Sequence, residues 1–356
     1  MPYNILNLLK ITILQNSSDL HLNVGYVPFL RIDGRLSAAG SKPISPDEMQ
    51  DFAKNLMSEE QMKKFLAYKE IDFAYSYSDH EVSGRFRVNI FFSQRNIAIA
   101  MRLVPSKIPT FDELKFNTTV RSIPKLSQGF VLLVGPTGCG KSTTLASLIN
   151  DINQNQAKHI ITIEDPIEYV YPIAKSIIAQ RELEVDTLSW DNALRSVLRE
   201  DPNVVLIGEL RDQDTMRAAL SIAETGHLVF GTMHTNSAAE TIERIIYTFE
   251  ENEQPEVRSI LANVTSAVIS QRLVPVIGGG RHAAMEIMLN TPSIANMIRE
   301  KKEYQIDNVI RTSFTLGMVT IEKSLVDMVR DGMITIETAQ NLSTNPEEII
   351  RLMKQI

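Results

Sequence analysis

Gly135, Pro136, Thr137, Gly138, Cys139, Gly140, Lys141, Ser142 and Thr143 follow one another with the spacing of a phosphate-binding loop. Glycines let backbone N–H groups curl around phosphate oxygens, and the start of the following helix adds a favourable dipole. Lys141 is expected to reach the β- and γ-phosphates of ATP, and the Ser142 hydroxyl to hold Mg²⁺. Cys139 fills a variable position of the loop and reads as filler rather than a redox sensor.

Three further apolar runs end in polar residues. Glu164, Asp165 and Glu168 follow His159–Ile163; Glu209 follows Val204–Ile207 after one glycine; His234 and Thr235 follow Leu228–Met233. In open α/β sheets, ligands bind beyond the carboxyl ends of the strands. Glu209 therefore reads as a Walker B acid that serves Mg²⁺, orients water, or both. Gly208 stands where many P-loop ATPases carry a metal-linked Asp. Glu164 and Glu168 either join this chemistry or cap the next segment. His227 and His234, seven residues apart on one strand segment, are expected to sense the γ-phosphate.

The elements that must position these groups alternate in type. Phe130–Val134 reads as a buried strand and Lys141–Ile152 as a helix. Trp190, Ala193, Leu194, Val197 and Leu198 mark an amphipathic helix that stops near Pro202. Gln213–Thr225 is a helix with Gly226 at its C-terminal cap, and Ser237–Thr248 is another. Such alternation predicts an α/β fold, a mostly parallel sheet with helices on both faces. From about Pro255 the chain reads as mainly helical, its last helix opened by Asn345-Pro346.

The first hundred residues have a different grammar, with short strands and one or two helices. Pro28–Ile32 ends in a turn at Asp33-Gly34, and Ser45-Pro46-Asp47-Glu48 is a helix start. Gly84–Phe92 and Asn96–Val104 form a hairpin around Ser93–Arg95. Arg85 and Arg87 share one face of its first strand, and Phe86 and Val88 the other. The prolines between Pro105 and Pro124 suggest a linker. The division expected is 1–105, a linker over 106–121, and 122–356.

At 356 residues the chain suits two domains. Its net charge of −7 and lack of long Lys/Arg clusters disfavour nucleic acid as a partner. A single cysteine excludes an internal disulfide and a multi-cysteine zinc site, and fits a reducing cytoplasm. No apolar run approaches the roughly 18–20 residues of a membrane span. Met1–Lys10 has no signal-peptide pattern.

Taken together, these motifs resemble the type II/IV secretion ATPase superfamily, and within it the type IV pilus retraction ATPases. The loop Gly135–Thr143 resembles the family's Walker A box and Ile163–Glu168 its Asp box. Val205–Asp212 resembles an atypical Walker B box, glycine included, and Thr225–Thr235 the His box. Ser18–Leu22 (SDLHL), Arg85–Asn89 (RFRVN) and Leu289–Pro292 agree as well. The resemblance implies a PAS-like α+β N-terminal domain joined to a RecA-like P-loop domain with a mainly helical C-terminal region. It further implies a homohexamer that binds ATP between its domains and docks on an inner-membrane pilus platform protein from the cytoplasm. Arg85, Arg87, Arg95 and Arg102 are then candidate arginine fingers, because a loose phosphoryl-transfer transition state needs cationic stabilisation. One departure is Ala295, which stands where retraction ATPases carry the first arginine of a C-terminal motif; Arg299 is kept. It bears on full retraction activity, or on coupling to the pilus machinery, rather than on hydrolysis.

The function expected is a hexameric motor that retracts pili and drives twitching motility. A type IV secretion or pilus-assembly ATPase is the alternative within the superfamily. The assembly type usually carries an extra N-terminal region and a four-cysteine zinc element. From another class, a RecA-like nucleic-acid translocase would share the P-loop and Walker B acid, but not the Asp and His boxes.

Overall fold

The computed structural model describes residues 2–354 apart from Asp33, Ser106 and Thr344. The chain divides into two compact units, Met1–Lys107 with Glu168–Val170, and Ile108–Ile167 with Tyr171–Ile356.

The first unit opens with α1 (Ile5–Leu14), where Asn4 caps the helix and Ile5, Leu8, Leu9 and Thr12 form its buried stripe. Three strands follow, β1 (Asp19–Asn23), β2 (Phe29–Ile32) and β3 (Arg35–Ala38). Then come α2 (Pro46–Leu56) and α3 (Glu59–Tyr68), each started by a serine in a capping box, Ser45 with Glu48 and Ser58 with Gln61. The unit closes with β4 (Glu70–Ser78), β5 (Ser83–Ser93) and β6 (Asn96–Val104). Among the described residues these strands form one antiparallel sheet in the order β3-β2-β1-β6-β5-β4. Of the turn read at Asp33-Gly34, Asp33 lies outside the described residues.

Strand alternation divides this sheet into two faces. Leu30, Leu20, Met101 and Val88 are cross-strand neighbours, buried against the three helices. One residue along, the same register lines up Arg31, Asp19, Arg102 and Arg87 on the opposite face.

The second unit begins earlier than the linker reading suggested. Ser106 lies outside the described residues, but from Ile108 onward the segment is packed. Phe116, Val120 and Ile123 are buried on the sheet, and α4 (Thr118–Ser122) is capped by Asn117. Next come β7 (Gly129–Val134), α5 (Lys141–Asn155), β8 (His159–Glu164), β9 (Ile177–Glu182), α6 (Trp190–Val197) and β10 (Val204–Ile207). They are followed by α7 (Gln213–Glu224), β11 (Leu228–Met233), α8 (Ala238–Tyr247) and α9 (Gln254–Val264).

The stretch from Pro255, which reads as mainly helical, also holds a strand pair after α9. Two long strands, β12 (Thr265–Pro275) and β13 (Arg281–Leu289), form a hairpin paired along nine residues. Gly278, Gly279 and Gly280, all at positive φ, make its turn. Helices follow them: α10 (Pro292–Arg299), α11 (Ile306–Thr312), α12 (Ile321–Arg330), α13 (Ile336–Leu342) and α14 (Pro346–Lys354). The last has the Asn345-Pro346 start that the sequence indicates.

The sheet order is β13-β12-β7-β11-β10-β8-β9, parallel throughout except for β13. Strand β11 is inserted between the P-loop strand β7 and β10. One face is covered by α5 and the 108–125 segment, the other by α6 to α10. Helices α12 to α14 form a small core of their own on the hairpin's far end, around Val274 and Ala284. The architecture is mixed α/β.

Candidate active site

The carboxyl ends of β7, β8, β10 and β11 lie side by side, as parallel pairing requires. The P-loop leaves β7 at Gly135 (φ +141°) and enters α5 at Gly140 (φ +89°). A side chain at Gly135 would place its Cβ 2.4 Å from the Gln271 carbonyl oxygen, so glycine is required there for room as well as for conformation. Lys141 is buried, and its Nζ donates to the carbonyls of Gly135 (2.7 Å) and Pro136 (3.3 Å). Its amine is thereby held across the mouth of the loop. Ser142 and Thr143 open the first turn of α5, half-buried. Burial pushes the Cys139 thiol above its ordinary pKa, which leaves it a poor nucleophile.

Two strands away, Glu209 follows β10. Its Oε1 lies 3.2 Å from His234 Nε2, at the end of β11, and its Oε2 accepts from Arg211 Nη2 at 2.7 Å. Burial alone would raise the Glu209 carboxyl. The hydrogen bond and charge of Arg211, with His234 and Lys141, hold it below the usual carboxylate range. A carboxylate kept ionised and divided between a histidine and an arginine can accept from water or face a cation.

The glycine preceding Glu209 has a steric reason. A Cβ on Gly208 would sit 3.1 Å from the Ile163 carbonyl oxygen and 3.3 Å from Glu164 Cα. The Gly208 N–H donates to that same carbonyl at 2.8 Å, and the Gly208 carbonyl accepts from Thr232 Oγ1 at 2.5 Å. The turn is thus laced to β8 and β11 on both sides, and a metal-linked Asp would not fit it unchanged.

Glu164 is buried at the end of β8, where it accepts from Thr162 Oγ1 (2.6 Å) and Gln180 Nε2 (3.3 Å). Glu168 is exposed and lies in the segment counted with the first unit. His227 is not brought to this edge. It precedes β11, and its backbone carbonyl accepts from Gly129, the first residue of β7. Seven residues of extended chain separate it from His234, roughly 23 Å at strand rise. Its Nδ1 lies 3.0 Å from the Ile222 carbonyl and 3.0 Å from Thr225 Oγ1, where it finishes α7. His227 and His234, expected to sense the γ-phosphate together, thus stand at opposite ends of β11.

In the first unit, Arg102 Nε donates to Asp19 Oδ1 at 2.9 Å, and Arg31 Nε stands 3.7 Å from Asp19 Oδ2. Burial pulls the Asp19 carboxyl upward, and hydrogen bonds from Ser18 and Arg102 carry it below its ordinary value. Arg87, beside Arg102, is exposed, and Arg85 is half-buried on the same strand face. Arg95 is exposed in the β5–β6 turn at φ +67°.

The sequence reading missed Arg211 and Gln271. Arg211 sits two residues after Glu209, a spacing that would have drawn attention to it. Gln271 lay within the stretch read as helical. Its amide donates to the Cys139 carbonyl at 2.7 Å, and its Oε1 accepts from Thr144 Oγ1 at 2.8 Å.

The oxygen donors at this edge, the Ser142 hydroxyl and the Glu209 carboxylate, are of the hard type that suits Mg²⁺. Among the described residues no group of three His, Cys, Asp or Glu side chains could hold a metal by itself.

The family described as type II/IV secretion system protein matches residues 76–278. The chain is 44% identical to the type IV pilus retraction ATPase PilT of Pseudomonas aeruginosa, over 97% of this chain and 99% of that one. It is 42% identical to the twitching motility protein of Neisseria gonorrhoeae, over 98% and 93%. The crystal structure of the pilus retraction motor PilT with bound ADP superposes with a TM-score of 0.91 at 42% identity, covering 98% of this chain and 99% of that one. The chain belongs to the type II/IV secretion system protein family.

Proposed function

We propose that the chain is an ATPase that powers type IV pilus retraction and, through it, twitching motility. The observation that carries this reading is Glu209, held ionised between His234 and Arg211 at the strand edge where the P-loop also ends. Likeness over nearly the whole length to a retraction ATPase and to a twitching motility protein supplies the physiological side.

Each residue has a distinct part. Gly135–Gly140 present backbone N–H groups to the phosphates, and Lys141 exchanges its contacts with loop carbonyls for the β- and γ-phosphates. Ser142 and Glu209 would hold Mg²⁺, which when bound would supply charge neutralisation on the phosphates. Glu209 orients the attacking water, and His234, 3.2 Å from it, fixes the carboxylate's direction and answers to the γ-phosphate. Glu164 supports the neighbouring strand end. His227 takes a structural part at the far end of β11.

The first unit is PAS-like in this reading, which its single antiparallel sheet with helices on one face supports. Arg85, Arg87, Arg95 and Arg102 are its candidate arginine fingers. Of these, Arg87 is the strongest, since Arg102 is already engaged by Asp19. We further propose a homohexamer docked at the cytoplasmic face of the inner membrane on a pilus platform protein, with no nucleic-acid partner. No helix among the described residues is long and apolar enough to cross a membrane, consistent with attachment through partners.

Deletion of the gene tests the assignment. Surface pili in excess, together with lost twitching, are expected. Loss of pili, or of secretion with normal pili, would redirect the chain to an assembly or secretion role.

A further inference from the structure

The β12–β13 hairpin touches both catalytic loops, from opposite faces of the sheet. Toward α5, Gln271 is 1% exposed and contacts the P-loop repeatedly. Its amide donates to the Cys139 carbonyl, its Oε1 accepts from Thr144, and its own carbonyl fills the space where a Gly135 side chain would be. The neighbouring residue faces the other way, as strand alternation demands. Ser270 Oγ donates to the Asn236 carbonyl at 2.7 Å, two residues beyond His234. Directly across the hairpin from Ser270, Glu286 accepts from the Ala238 N–H at 2.8 Å. The far end of the hairpin carries the α12–α14 core, and Arg272 Nη1 donates to the Leu342 carbonyl of α13 at 2.9 Å.

We propose that this hairpin is a strut that sets the position of the P-loop against the His234 loop, with Gln271 and Ser270 as its two positioning residues. The inference rests on the reading of the P-loop as a nucleotide site. A buried amide whose donor and acceptor are both used fixes the loop in two directions, and leaving either partner unpaired is costly. Displacements of about 1 Å at such a site cost up to a hundredfold in rate. Movement of the C-terminal helices would reach both loops through this one element, and in register, because the two residues are adjacent on one strand.

The two arms predict different kinetic signatures. Gln271→Met removes the grip on the P-loop, so the Kd for fluorescent ADP and the KM for ATP rise at least tenfold, more than kcat falls. Ser270→Ala releases the His234 loop, so kcat falls at least threefold while ADP affinity stays within twofold of wild type. Thr144→Val removes only the hydroxyl that Gln271 accepts from, and serves where Gln271→Met folds poorly. Its loss of affinity should not add to that of Gln271→Met, because both break one linkage. Both parameters changing in equal proportion in both variants, or neither changing, overturns the proposal. Wild-type protein that binds no ADP instead overturns the nucleotide-site reading on which it rests.

Discussion

His234 Nε2 lies 3.2 Å from Glu209 Oε1, so the ends of two adjacent parallel strands, β11 and β10, are joined through these side chains. The other oxygen of Glu209 is taken by Arg211. One side chain thus receives direction from two neighbours before any substrate arrives, which is the preorganisation that hydrolysis needs.

Neutralising that carboxylate should stop turnover and spare binding. Glu209→Gln keeps the shape and a hydrogen-bond acceptor but removes the charge. A fall in kcat of about 10²-fold or more is expected, on the scale of lost general-base or water-orienting function. ADP affinity should change by no more than a few-fold. Phosphate release and fluorescent-nucleotide titration measure the two. Hydrolysis at the wild-type rate would remove Glu209 from the mechanism.

Arg211 makes a different demand, on pH. Burial pushes the Glu209 carboxyl upward and Arg211 is the main group opposing it. With Arg211→Ala the upward push is less opposed, so the Glu209 pKa rises. A group needed as the carboxylate is then lost at higher pH. The acid limb of the kcat–pH profile should move to higher pH in the variant, with the plateau at alkaline pH less affected. An acid limb that stays in place would show that another group controls it.

Much of this was legible in the sequence, for a physical reason. The P-loop is a local device: its glycines, lysine and serine act within nine consecutive residues, and its strand and helix flank it directly. Glu164, Glu209 and His234 were found because each follows its strand at once, and parallel strands deliver their ends to one edge. What was lost depends on cross-strand neighbours. Gln271 acts on Cys139 and Thr144 from more than 120 residues away, and nothing in its own surroundings marks it. The hairpin that carries it lies within a stretch that reads as mainly helical, and the three glycines at its turn are the local mark that sets it apart. His227 illustrates the opposite limit, since seven residues along a strand carry it to the far end of β11 from His234.

Gly208 permits a test of packing at the site. A methyl group there meets the Ile163 carbonyl and the Glu164 backbone, neither of which can yield like a flexible side chain. Gly208→Ala should cost about 1–3 kcal/mol in stability by overpacking. It should also lower kcat, because the turn bearing Glu209 moves with it. Gly208→Asp, which restores the residue common in other P-loop ATPases, should be worse than Ala rather than better. Thermal unfolding and ATP turnover would measure both effects, and an Asp variant as active as wild type would contradict the steric account.

Glu286 provides the clearest linkage between pH and stability. Burial raises its carboxyl from 4.5 to about 7; the Ala238 N–H opposes the rise, Asp307 and Glu322 reinforce it, and Arg272 opposes it weakly. The folded protein therefore holds a proton that the unfolded chain releases near pH 4.5. Because the folded state binds more protons in this window, stability falls as pH rises from about 4.5 to 7. At about 1.4 kcal/mol per pKa unit, the contribution lost is on the order of 3 kcal/mol. Asp307, also raised by burial, acts in the same direction. Glu286→Gln keeps an oxygen for the Ala238 N–H and removes the titration. The variant should gain on the wild type as pH increases, its Tm at pH 8 higher by several degrees relative to the difference at pH 5. Parallel Tm–pH curves for the two proteins would mean that Glu286 stays ionised in the folded state.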